Sequence, residues 1–78
     1  MTTTMSKAME TARLALIAAG LNVTIKPHQG DAKKAQAIRV SGCWPEMAAD
    51  ALQVIEAAIP GSTKVQDAGF AAVWLPRN

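Results

Sequence analysis

The sequence predicts one small α+β domain with its elements in the order αββαββ, two helices packed on one face of a four-stranded, mostly antiparallel sheet. Three observations predict it. Two segments carry apolar residues at helical spacing, each is followed by two short alternating segments, and glycine or proline stands at most of the joints. The 78 residues suffice for one hydrophobic core and not for two, because domains of about this size bury only about 60% of their unfolded surface. Residues 1–78 are read as a single domain, with no linker or low-complexity stretch.

Met5, Ala8, Met9, Ala12, Leu16 and Ala19 fall on one side of a helical wheel, with Lys7, Glu10 and Thr11 opposite. Thr4 or Ser6 can cap this first helix, and Gly20 stops it in the left-handed conformation that glycine adopts cheaply. Leu14 is the misfit, an apolar residue among the polar ones. Leu21, Val23 and Ile25 then alternate with Asn22, Thr24 and Lys26, the pattern of a strand with one buried face, and Pro27 is expected to end it. Residues 28–34 hold no apolar side chain larger than Ala32 and read as a hairpin loop. Ile38 and Val40, alternating with Ala37, Arg39 and Ser41, form the return strand, and Gly42-Cys43-Trp44 the next turn.

Pro45 suits a first helical position, where its missing N–H is harmless, and Glu46 follows where the helix dipole favours negative charge. Met47, Ala48, Ala51, Leu52, Val54, Ile55, Ala58 and Ile59 share the inner face of this second helix. Glu46, Asp50, Gln53 and Glu56 hold its outer face, up to Pro60-Gly61. Residues 63–66 and 70–75 make the last hairpin. A two-residue primed turn there would force Ala68 to positive φ, so a three-residue loop with Gly69 left-handed is expected. That register puts Val65, Ala71, Val73 and Leu75 under the helices and sends Lys64, Phe70, Ala72 and Trp74 to the opposite face. The order αββαββ is what the ferredoxin-like βαββαβ becomes when its first strand moves to the end. In this circularly permuted topology the apolar strand 71–75 lies inside the sheet, paired on both edges.

Cys43 is the only cysteine, which excludes an internal disulfide and points to a reducing, cytoplasmic setting. The start of the chain lacks a basic n-region, and the apolar run 14–19 is far shorter than the ~20 residues of a membrane span, so neither a secretion signal nor a transmembrane helix is expected. The net charge of +2 decides no partner, but its distribution is lopsided. Lys26, His28, Lys33, Lys34 and Arg39 gather in one segment, and Glu46, Asp50 and Glu56 in another.

Catalysis needs a nucleophile, a base and a positioned partner, and the chain offers one cysteine and one histidine. Cys43-Trp44-Pro45-Glu46 lacks the second cysteine of a redox motif, the Cys/His set of a metal site is missing, and neither glycine-rich phosphate loop occurs. The expectation is a protein that is not an enzyme and holds no metal or cofactor. Two binding readings remain. A protein-binding module follows from apolar surface left over after folding, at Leu14 and at Trp44 in its turn, and from the opposed charges of Lys33-Lys34 and Glu46-Asp50. A nucleic-acid module is the alternative, with Phe70 and Trp74 on an open sheet face and Lys26, Arg39 and Lys64 nearby. The acidic second helix and the absence of the aromatic-glycine strand motif of RNA-recognition domains stand against it.

In size, alanine-rich helices, αββαββ order and lack of a catalytic constellation, the whole chain resembles the small single-domain inhibitors encoded by bacteriophages and mobile elements, anti-CRISPR proteins among them. The resemblance implies a protein that blocks a bacterial defence complex by occupying its surface, and it carries no residue roles. The expected surface comprises Leu14, Lys33, Lys34, Arg39, Trp44, Glu46, Asp50, Lys64, Phe70 and Trp74. A homodimer through sheet edges or the Leu14 face is a further arrangement this pattern allows.

Overall fold

A computed structural model describes residues 5–29, 36–67 and 69–76. The elements run α1 Met5–Ala18, β1 Thr24–Gln29, β2 Gln36–Ser41, α2 Pro45–Ala58, β3 Thr63–Asp67 and β4 Phe70–Trp74, the expected αββαββ order. Their sheet order is β1-β2-β4-β3, with every neighbouring pair antiparallel. This is the strand order that βαββαβ yields when its first strand is moved to the end. The most apolar strand, β4, lies inside the sheet with both edges paired.

The core is thin and aliphatic. Ala8, Ala12 and Leu16 of α1 meet Ala48, Ala51, Leu52 and Ile55 of α2 over Ile38, Val40, Ala71, Val73 and Leu75 from the sheet. The alanines let the helices approach closely, and Ile38, Leu52, Ile55 and Val73 are the largest fully enclosed side chains. α1 leans on α2 and β1, and α2 spans β4, β3 and β2. Gly20 ends α1 at φ +74° as expected. Ser6 is already inside α1 and so is not its cap, and Thr4 lies outside the described residues.

Two expectations about strands are corrected. β1 begins at Thr24, leaving Leu21 and Val23 just before it and half-buried against the core, and it continues through Pro27 to Gln29. Pro27 is tolerated because β1 is an edge strand and its donor-free side faces solvent. His28 is consequently a strand residue, paired with Ala37, and not part of a loop.

The last hairpin turns in two residues, because Asp67 pairs with Phe70. The expected three-residue loop is therefore wrong, although Gly69 does take the left-handed conformation at φ +82°. Shortening the loop by one residue moves β3 by one position and reverses its faces. Lys64 pairs with Val73 and shares the helix-covered face, while Val65 pairs with Ala72 on the opposite one. Placing positive φ on glycine satisfies the tight turn, and pairing along β3 decides the register.

Candidate functional site

One face of the sheet carries no helix among the described residues, and pairing brings His28, Arg39, Phe70 and Trp74 onto it. In register, His28 stands beside Ala37, which pairs with Trp74, and Lys26 stands beside Arg39, which pairs with Ala72. The His28 ring meets Phe70 edge-on at 5.3 Å and Trp74 at 6.0 Å between centroids. The Arg39 guanidinium sits 5.5 Å from the Phe70 ring centre, a cation–π contact. Ala37 and Ala72 are wholly buried yet belong to no part of the helix-covered core, so this cluster of rings is their cover. Phe70 and Trp74 are accordingly half-buried, with the rest of each ring open to solvent, and Lys26 and Arg39 are exposed around them.

The β2–β4 ladder ends at Arg39–Ala72, although β2 runs on to Ser41 and β4 starts at Phe70. Where the strands part, a cleft opens between Arg39, Ser41, Asp67 and Phe70, with Cys43 and the first turn of α2 behind it. Gln66 Nε2 donates to the Pro45 carbonyl at 3.0 Å and ties that turn to β3.

A second surface is apolar. Leu14 (60% exposed) and Ile17 (67%) project from the outside of α1, and Trp44 (78%) and Met47 (36%) project from the start of α2. Two shallow depressions lie beside these helices: one is lined by Ile17 and Leu21, the other by Trp44 and Met47, and Asn22 borders both. Trp44 is the N-cap residue of α2, with extended backbone and no side-chain capping hydrogen bond. Its carbonyl accepts from the Ala48 N–H at 2.9 Å, so its backbone starts the helix while its ring does nothing for it.

Of the residues expected at a site, Leu14, Arg39, Trp44, Phe70 and Trp74 therefore belong to two separate surfaces. Glu46 and Asp50 are exposed on the outer side of α2, across the molecule from the open sheet face. Lys64 is exposed on the helix side and does not frame Phe70 and Trp74, because the β3 register is reversed. Lys33 and Lys34 lie outside the described residues. Sequence reasoning missed Ile17 and Met47 as surface apolar residues and placed His28 in a loop. Ile17 could have been found as the residue one helical turn after Leu14 on the same outer face.

Cys43 and His28 do not form a pair. Ser41, two residues before Cys43, pairs with Thr24, which stands on the order of 13 Å along β1 from His28 at ~3.3 Å per strand residue, so Cys43 follows the far end of the ladder from His28. Among the described residues no three His, Cys, Asp or Glu side chains come together as metal ligands, and no helix is long and apolar enough to cross a membrane. Comparison with protein-family models, curated proteins and solved structures finds no match for this chain.

Proposed function

We propose that the protein is a non-enzymatic cytoplasmic binding module that occludes a protein partner, acting as phage-encoded inhibitors of the anti-CRISPR type do on bacterial defence complexes. The observation that carries this reading is Trp44. At an N-cap, Ser, Thr, Asp or Asn stabilises a helix by about 1 kcal/mol, whereas this tryptophan makes no cap bond and leaves 78% of its surface in water. Folding gives no reason for it, and tryptophan is the residue most enriched among interface anchors. Met47 lines the same depression as Trp44, and Ile17 and Leu14 are further apolar side chains left exposed. The separation of Cys43 from His28 supports the non-enzymatic part of the reading.

Affinity capture with the tagged protein from a bacterial lysate, with and without nuclease, tests it against Trp44→Asp and Ile17→Glu variants. The expected outcome is a discrete partner recovered regardless of nuclease by the parent chain and lost by both variants, each still folded by circular dichroism. Equal recovery by the parent and the two folded variants would overturn this surface as the binding site.

A further inference from the structure

We propose that the open face of the sheet is a second binding site, whose ligand is single-stranded nucleic acid stacked on Trp74 and His28 and held at its phosphates by Lys26 and by Arg39, which Phe70 supports. This goes beyond the protein-occluding function and does not rest on it, since the two surfaces share no residue. Three features of the face point to that ligand. First, the half-buried rings are fixed over the alanine floor of Ala37 and Ala72 by mutual edge-on contacts, so they offer stacking surface without needing to be ordered on binding. Second, the cations lie beside the rings: Arg39 sits over Phe70, and Lys26 flanks it one strand away. Alternation of stacking surface and positive charge matches a strand whose bases and phosphates alternate along its length.

Third, charge is divided between the two sides of the sheet. Glu46, Asp50 and Glu56 belong to α2, on the far side, so the acidic helix that speaks against nucleic acid in the sequence does not oppose it at this face. Asp67 is the acidic exception, at the corner next to Phe70 where β2 and β4 part. A carboxylate there accepts from N–H donors on a base edge and repels phosphate, so a base enters the cleft and the backbone runs over Lys26 and Arg39. A duplex, with its bases paired and its π-faces stacked inside, cannot use the rings.

Fluorescence anisotropy of a short labelled mixed-sequence single strand, as DNA and as RNA, tests the proposal with the full chain. Binding is expected to weaken about five- to tenfold between about 50 and 200 mM salt, the shallow dependence of only two phosphate contacts. Lys26→Glu and Arg39→Glu, at exposed positions, are expected to abolish most binding while the domain stays folded, Arg39→Glu with a slightly lower melting temperature from the loss of its cation–π contact. Trp74→Leu keeps an apolar cover over the alanines and is expected to lower affinity about tenfold through lost stacking. The proposal is overturned if neither single strand binds at low salt, or if a duplex of the same sequence binds as tightly and Trp74→Leu has no effect. It is equally overturned if the folded Lys26→Glu and Arg39→Glu variants bind the strand normally but lose a nuclease-resistant protein partner, which would assign the face to protein.

Discussion

At the scale of single residues, Trp44 and Gly69 show how differently a side chain can relate to its backbone position. Trp44 occupies an N-cap without capping, next to a proline that is well placed at the first helical position. Trp44→Asp supplies an acceptor for the orphan N–H groups and a negative charge at the positive end of the helix dipole. It is expected to stabilise the domain by about 0.5–2 kcal/mol, raising the melting temperature by roughly 4–8 °C for each kcal/mol, as thermal unfolding would show. A variant that gains stability while losing its partner would mark a residue kept for binding. Gly69 is the converse case, a residue that serves its backbone alone. At φ +82° a side chain would be strained even though open space surrounds it, so Gly69→Ala should cost about 1–2 kcal/mol in denaturant unfolding.

At the scale of elements, both edges of the sheet are guarded against pairing with another chain. Pro27 removes a donor from the outer side of β1. On β3 the Lys64 N–H, which points away from β4, donates to the Glu56 carboxylate of α2 at 2.9 Å. The same connection is closed by Ser62, whose hydroxyl donates to the Ile59 carbonyl at 2.6 Å just past the helix end. These contacts argue against dimerisation through the sheet edges, and they predict a change on mutation. Pro27→Val combined with Glu56→Ala restores two outward donors, and light scattering is expected to detect more concentration-dependent self-association in this variant than in the parent chain. An unchanged mass would mean that strand shortness alone protects the edges.

At the scale of the whole molecule, stability rests on a small aliphatic core that contains none of the three large aromatics. A chain of 78 residues at ~0.05–0.15 kcal/mol per residue is expected to be stable by about 4–12 kcal/mol. Leu52, 1% exposed, belongs to the core cluster that α1, α2 and the sheet share. Leu52→Ala should remove about 2–5 kcal/mol, enough to unfold the domain near the lower bound, and a urea midpoint that barely moved would show that the alanine-rich interface collapses into the space. The rings of His28, Phe70 and Trp74 sit on the opposite side of the sheet, so substitutions there should perturb binding more than this core.

The local sequence determined the elements themselves. The period of Ala8, Ala12 and Leu16, the pair Trp44-Pro45, the stop at Gly20 and the alternation of Ile38 with Val40 are short-range signals, carried by neighbours within one helical turn or one strand pleat. Exposure of Leu14 was legible for the same reason, since its angle on the helical wheel needs no tertiary contact. Only the tertiary structure decided three further points: that β1 runs through Pro27, that Lys64 lies on the helix side of the sheet, and that His28 joins Phe70 and Trp74. Each depends on pairing between strands. An edge position excuses a proline, a one-residue difference in a hairpin reverses every side chain beyond it, and an aromatic cluster exists only where register brings three strand positions together. The periodic pattern of one strand specifies which residues share a face, and the neighbouring strand specifies which face that is.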